Sequence, residues 1–334
     1  MTSYERYLGM LQGRKVDVLP RLPILMAYAA RFIGSNYAAF ASDYRVLVEA
    51  NLKSAEFFGF DQVSTISDPY RETQGFGAEI LYVRDGVPRC VKAPLGDSTD
   101  LAQLRQPDPR QSTRMLDRVR AVAEYKKAVH GKYSILGWIE GPAAEMSTLR
   151  TPTNFLMDLI DDPDYCGRVM DLCVAAGSAF ALAQLEAGAD TIGIGDAIAS
   201  QVSPGLYETL IWPREKLLVD AIHARGGLVR LHICGNITHL LPGIARLGCE
   251  IVDLDWQVNL VKARRVLGPK TVLVGNLNPV AGVQDSLPAK IKDDLRAMYR
   301  EVGNPYMAGA GCEIPVNTPV ENLQALCEPI PYEG

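Results

Sequence analysis

The 334-residue sequence lacks any C-x2-C pair and contains only four histidines. It also lacks a cluster of Lys and Arg, and its net charge is −5, so the basic patch that binds nucleic-acid phosphates is missing. The N-terminal stretch has no apolar signal core, and no apolar run reaches membrane-spanning length. We therefore expect a cytoplasmic protein with neither a nucleic-acid nor a membrane partner.

The seven cysteines are odd in number and lie in a long chain without an export signal. A disulfide framework is therefore not expected, and most of the thiols should pack as small buried side chains. Cys234 and Cys312 are the exceptions, because each ends an apolar strand pattern.

Short β-rich runs alternate with helical patterns along the whole chain, which indicates a (β/α)8 barrel formed by a single domain over residues 1–334. The eight predicted strands are 21–28, 62–68, 133–140, 191–196, 228–234, 251–255, 271–276 and 306–312. A doubly wound open sheet is the alternative. Residues 79–95 differ from this pattern and predict a β-hairpin insertion that turns at Asp85-Gly86.

The carboxyl ends of the predicted strands carry polar side chains, and in a barrel these ends form the active site. The set comprises Asp68, Glu140, Asp196, His232 with Cys234, Asp255, Asn276 and Cys312. Core packing does not account for so many polar groups at the ends of apolar strands.

His232 and Cys234 are two residues apart on one strand, so their side chains share a face. With Cys312 from the last strand they offer three zinc ligands and leave one position open, which is typical of a catalytic zinc. The alternative is that the pair is simply buried. The fourth position is open to water, substrate or an acid, and Asp255 and then Glu140 are the best-placed acids. The alternative role for Asp255 is to hydrogen-bond the imidazole of His232 without binding the metal itself. His130, His223 and His239 are expected to take no part.

At this point the sequence resembles the uroporphyrinogen decarboxylase superfamily over roughly residues 4–327, in particular at "LHICGN" (231–236) and "GAGCEIPVNTPVENLQAL" (309–326). The resemblance implies a (β/α)8 barrel. Within the superfamily, the His-x-Cys pair followed far downstream by Cys is similar to zinc-dependent corrinoid methyltransferases, such as methylcobamide:coenzyme M and O-demethylase methyltransferases.

This resemblance implies Zn²⁺ on His232, Cys234 and Cys312, and a corrinoid carried by a partner protein. It also maps an acidic zinc ligand of the more distant cobalamin-independent methionine synthase near Asp255. The enzyme would transfer a methyl group to or from a methyl ether, methanol, a methylamine or a thiol, as a monomer or homodimer. The alternatives are a barrel that binds a corrinoid or tetrapyrrole without turnover, and a metal-free decarboxylase.

Asp68 matches the aspartate of the decarboxylases that faces the pyrrole nitrogens, which implies a catalytic role. A substrate with eight carboxylates needs several Arg partners, however, and the segment after the first strand offers only Arg31.

Further roles follow from position. Glu140 is expected to donate a proton to a departing oxygen. Asn276 and Asp196 are expected to hydrogen-bond the substrate, Asp196 as a further catalytic residue. An apolar substrate wall, or else simple rim packing, is expected from Tyr28, Phe32, Trp138, Met146 and Met307.

Overall fold

A computed structural model describes residues 1–129 and 131–333. His130 and Gly334, the last residue of the predicted domain, lie outside the described residues. The strands in the described part are β1 (Gln62–Ser64), β2 (Glu79–Leu81), β3 (Arg89–Lys92), β4 (Ser134–Glu140), β5 (Thr191–Gly195), β6 (Leu228–His232), β7 (Ile251–Asp253), β8 (Val272–Val274) and β9 (Tyr306–Met307).

The described α-helices are α1 (Ser3–Leu11), α2 (Ala27–Phe32), α3 (Tyr37–Ser42), α4 (Tyr44–Phe58), α5 (Arg71–Gly75), α6 (Thr113–Val129), α7 (Pro142–Arg150), α8 (Pro152–Asp161), α9 (Pro163–Ala187), α10 (Pro204–Leu206), α11 (Trp212–His223), α12 (Leu241–Leu247), α13 (Leu260–Leu267), α14 (Pro288–Val302) and α15 (Val320–Leu326). Short 3₁₀ turns occur at Leu101–Gln103 and Ala197–Gln201, and π-helical turns at Tyr207–Ile211 and Pro279–Gln284.

The fold is α/β, with seven parallel strands in a curled sheet of order β1-β4-β5-β6-β7-β8-β9. Helices connect most successive strands, so the carboxyl ends of the strands meet at one edge. The register places Glu140 opposite Gly195, Gly195 opposite His232, and His232 opposite Asp253. This edge therefore brings together residues that are far apart in the sequence.

The predicted first strand, 21–28, is not a regular strand in the structure. Arg21 and Ile24 form only isolated parallel bridges, to Ala308 and Glu313. Pro20 and Pro23 have no N–H to donate to a ladder, and the Ala-rich residues that follow form helix α2 instead. The segment still hydrogen-bonds to both sides: Leu22 donates to the Ala308 carbonyl at 2.9 Å, and the Arg21 carbonyl accepts from the Asp61 N–H at 2.9 Å.

Strands β2 and β3 pair antiparallel with each other within residues 79–92 and join no other strand. They lie between β1 and β4, over the segment where the sequence predicted a hairpin. Its origin as an insertion remains a prediction.

Helix α9 is long and apolar enough, by length and composition, to cross a membrane, so the expectation that no such run exists is wrong. However, 56% of the apolar window is buried, and the helix packs against β4, β5 and neighbouring helices. Asp162 caps its N-terminus by accepting the Tyr165 N–H, and Gly188 ends it in a left-handed conformation. Burial in the core accounts for its composition.

The inner face of the sheet is filled by Trp138, whose ring lies over two glycines of β5. A Cβ at Gly193 would lie 2.2 Å from the Trp138 ring, and one at Gly195 would lie 2.9 Å from it. A void that Trp138 and Arg230 both line has a volume of only about 10 Å³.

We predict that Gly193→Ala lowers the free energy of unfolding by about 1–3 kcal/mol, because the added methyl group overpacks the Trp138 ring. At the exposed Gly205 a Cβ would have no atom within 4 Å, so Gly205→Ala is the control and should not lower the free energy of unfolding. Urea denaturation measures both. Equal stability of the two variants would contradict the packing described for Trp138.

Candidate functional site

Three potential metal ligands converge at the carboxyl edge of the sheet. His232 Nε2 lies 3.1 Å from Cys234 Sγ and 3.8 Å from Cys312 Sγ, and the two sulfurs are 3.5 Å apart. His232 ends β6, Cys234 follows it, and Cys312 lies in the loop after β9. All three donor atoms lie within 4.8 Å of one another.

The ring of His232 is fixed by Asp253, at the end of the neighbouring strand. Asp253 Oδ2 lies 2.9 Å from His232 Nδ1, so Nε2 is the nitrogen that faces the sulfurs. Arg230 Nε donates to both oxygens of Asp253 at 2.9 and 3.0 Å, and Arg230 Nη1 donates to Gln62 Oε1 at 2.7 Å. A carboxylate that orients an imidazole in this way is typical of metal-binding histidines.

The two thiols differ in proton affinity. A hydrogen bond with Cys234 lowers the pKa of Cys312, and the same hydrogen bond together with burial raises the pKa of Cys234. One sulfur thus readily becomes a thiolate, the form in which Cys binds metals.

Asp255 is not part of this group. Its carboxylate accepts the backbone N–H of Gly235 at 3.0 Å and that of Gln257 at 3.1 Å, so it shapes the loop that follows Cys234. Asn276 is also engaged: its amide donates to the carbonyls of Asp255 and Val258 at 3.0 and 2.7 Å. Neither residue lines the cavity described next.

A cavity of about 520 Å³ adjoins the cluster and is lined by Cys234 on one side and Glu140 on another. Pro69, Pro152 and Ile198 supply apolar surface. This volume is typical of small-molecule sites. The predicted wall of Tyr28, Phe32, Trp138, Met146 and Met307 does not line it.

Those five residues are instead part of the core or its edge. Met146 and Met307 are fully buried, and Tyr28 lies in α2 with its ring 5.9 Å from that of Phe58. Trp138 contributes indirectly, because its indole N–H donates to Glu140 Oε1 at 3.3 Å.

Glu140 faces the cavity, and Arg71 Nη2 donates to its Oε1. Burial raises the pKa of Glu140 to about 7, although the Arg71 charge opposes this. A carboxyl with such a pKa can both donate and accept a proton near neutral pH.

Asp68 does not face the cavity but forms a buried ion pair, with its Oδ2 2.6 Å from Arg114 Nη2. Burial alone would raise the pKa of Asp68, but Arg114 outweighs burial and lowers that pKa to about 2. Asp196 is also buried away from the cavity: it accepts the backbone N–H of Ala144 at 2.5 Å and of Ala143 at 3.4 Å, at the start of α7. Burial and then Glu215 raise the pKa of Asp196.

Sequence reasoning missed Asp253, Arg230, Arg71 and Glu72. Arg230 and Asp253 carried a usable signal, because each is a charged residue that directly follows apolar residues, Arg230 within β6 and Asp253 at the end of β7. Arg71 and Glu72 lie on the short helix α5, where charged residues are ordinary and give no signal.

The sequence profile of the uroporphyrinogen decarboxylase (URO-D) family matches residues 2–330. The methylcobamide:CoM methyltransferase MtaA of Methanosarcina barkeri is 25% identical over 97% of this chain and 96% of its own length. The uroporphyrinogen decarboxylase of Roseiflexus sp. is 24% identical over 98% and 97%. A solved methyltransferase from Methanosarcina mazei is similar with a TM-score of 0.87, at 25% identity, over 98% of this chain and 97% of that one. Sequence identity alone does not separate the two activities.

We predict that Asp68→Asn lowers the free energy of unfolding by about 3–5 kcal/mol at neutral pH, because it leaves Arg114 as an unpaired buried charge. The folded pKa of Asp68, about 2, is below its unfolded value of about 3.9. The stabilisation is therefore complete above that unfolded value and is lost as the pH falls towards 2.

Urea denaturation at neutral and acidic pH measures this, and the difference between wild type and variant should shrink in acid. Asp285→Asn, at an exposed position, is the control and should match the wild type. A difference that stays constant with pH would contradict an ionised Asp68.

Proposed function

This chain belongs to the uroporphyrinogen decarboxylase family, and we propose that within it the protein is a zinc-dependent methyltransferase. It moves a methyl group between a small methylated substrate (a methyl ether, methanol, a methylamine or a thiol) and the cobalt of a corrinoid held by a partner protein. The observation that carries the proposal is the convergence of His232, Cys234 and Cys312 beside a cavity of about 520 Å³. The similarity to methyltransferases of two Methanosarcina species supports it.

The donor set fits zinc. One imidazole and two sulfurs are zinc ligands, three protein ligands leave a position for substrate, and Asp253 holds the imidazole in the required orientation. When bound, zinc would lower the pKa of a substrate thiol or polarise the oxygen of a methyl ether.

In this proposal, Glu140 is the general acid or base of the methyl transfer. It lines the same cavity as Cys234, and its pKa of about 7 leaves it able to protonate an oxygen that loses its methyl group, or to accept the proton of a thiol. The Trp138 N–H and Arg71 hold its carboxyl in place. Asp68 and Asp196 are assigned structural roles, because both are buried away from the cavity.

We extend the proposal to the closure of the barrel, the approach of the partner protein and the cellular location. The segment 20–24, which hydrogen-bonds towards both β9 and β1, serves as the eighth strand and closes a (β/α)8 barrel. The corrinoid protein approaches the open end of that barrel. A cytoplasmic location accords with seven cysteines that form no disulfide.

The metal-free decarboxylase is the alternative, since relatives with that activity are as similar as the methyltransferases. Two observations weigh against it. Asp68 is paired with Arg114 rather than turned to the cavity, and Arg31, the cation after the first strand segment, donates to Asn317 and the Val316 carbonyl.

We predict that the purified protein carries about one zinc ion per chain and that Cys312→Ser loses it. Cys90→Ser, at a half-buried cysteine of β3, is the control and should keep the metal. Asp253→Asn should lower zinc affinity about 10–100-fold, because a neutral amide oxygen orients and polarises the His232 ring less strongly than the carboxylate does. Metal analysis and competition with a chelator measure these effects. Retention of zinc by Cys312→Ser would refute the proposed ligand set.

We predict methyl transfer to cob(I)alamin, or from methylcobalamin, in a screen of methyl ethers, methanol, methylamines and thiols followed by corrinoid absorbance. Glu140→Gln should slow the transfer about 10²–10⁴-fold, because it removes the proton donor. Glu186→Gln, at an exposed glutamate, should not. Decarboxylation of uroporphyrinogen by metal-free protein, without methyl transfer, would favour the alternative.

A further inference from the structure

Arg71, Glu72 and Glu145 are buried close to Glu140, which lines the cavity. Arg71, on α5, donates through Nη2 to Glu140 and has its Nε 3.6 Å from Glu72 Oε2. The other oxygen of Glu72 accepts the backbone N–H of Glu140 at 2.9 Å. Glu145, one turn into α7, completes the group. The group therefore contains one cation, Arg71, and three acids.

Several polar atoms of this group lack a hydrogen-bond partner within residues 1–129 and 131–333. They are Arg71 Nε, Glu72 Oε2 and both carboxyl oxygens of Glu145. An ionised carboxylate that is buried with no hydrogen bond is costly, so Glu145 is held as a neutral acid. Burial and then the charge of Glu72 raise the pKa of Glu145, in agreement.

The other charged and titratable groups around the cluster are already paired or buried as neutral forms. They are Asp68 with Arg114, Asp117 with Arg118, Asp196 at the end of β5, Cys173 on α9 and Cys90 on β3. Burial raises the pKa of Glu140 most, and among the neighbouring charges Arg71, which lowers that pKa, and Glu72, which raises it, have the largest effects.

We propose that Glu72 is a positioning residue: held by the backbone N–H of Glu140, it shares the charge of Arg71 with Glu140 and so keeps Glu140 able to hold a proton in the cavity. Glu145 is the neutral member. Arg71 with one ionised glutamate is a neutral pair, and a second ionised glutamate would be a buried excess charge. The proton on Glu140 removes that excess.

The catalytic role of Glu72 rests on the proposed function, whereas the balance of charge between Arg71 and the glutamates does not. A bound corrinoid would accept the methyl group of an ether or alcohol, and the substrate oxygen would keep the electron pair of the broken C–O bond. That oxygen then takes the proton of Glu140, which becomes a carboxylate beside Arg71. For a thiol that receives a methyl group, Glu140 accepts the thiol proton instead.

The test uses the indole of Trp138, which donates to Glu140 Oε1 and so reports its ionisation. In a fluorescence titration of the full-length protein, the transition that disappears in Glu140→Gln belongs to Glu140, and we expect it near pH 7. In Glu72→Gln, Arg71 is left to Glu140 alone, so the midpoint should fall by about one unit or more. Glu72→Asp, which keeps the charge, should restore the wild-type midpoint.

Two further variants separate this role from a general loss of structure. Glu145→Gln replaces a neutral acid by a neutral amide, so the midpoint should not move. Arg71→Gln removes the shared cation, so the midpoint of the Glu140 transition should rise. This variant tests the proposal if Glu72→Gln does not fold. An unchanged midpoint in Glu72→Gln or Arg71→Gln, or a shift in Glu145→Gln as large as in Glu72→Gln, would overturn the proposal.

The pH dependence of enzyme activity provides a second measurement. If the proposed methyl transfer is correct, the alkaline limb of kcat should move in Glu72→Gln by the same amount as the fluorescence midpoint. A shifted midpoint without methyl transfer in any variant would reject the proposed function and leave the role of Glu72 intact.

Discussion

The whole site depends on one alignment of parallel strands. Glu140, Gly195, His232 and Asp253 lie opposite one another across β4, β5, β6 and β7. A slip of one residue in any strand turns its side chains to the other face of the sheet. The imidazole that faces the sulfurs, the carboxylate that orients it and the acid of the cavity are therefore set by backbone hydrogen bonds. Gly195 belongs to the same row and leaves the space that the Trp138 ring fills.

The balance between buried cations and acids gives each part of the site its character. Arg114 serves Asp68, and the pKa of that acid is lowered. Arg230 serves Asp253, whose pKa is also lowered despite burial. Arg71 is shared among several glutamates, and there burial raises the pKa of Glu140 to about 7. An aspartate with an arginine of its own is therefore ionised, whereas a glutamate that shares its arginine with other glutamates can carry a proton.

The sequence predicted the parts of the site that periodicity controls. His232 and Cys234 share a face because side chains alternate along a strand, and the polar ends of β4 and β6 were visible because the preceding residues are apolar. It could not distinguish Asp253 from Asp255, because residues two apart share a face of a strand, and in the structure β7 ends at Asp253, the residue that pairs with His232. Tyr28 was misplaced because an apolar run does not reveal where prolines break a ladder and an alanine-rich helix begins.

The packed floor of the sheet has a consequence for how reactants meet. The Trp138 ring and Arg230 leave a void of about 10 Å³ below the site, room for at most one water molecule. The cavity of about 520 Å³ that Glu140 and Cys234 line is, by contrast, wide enough to be an entrance for a small molecule. A macromolecule seated over that entrance would seal it.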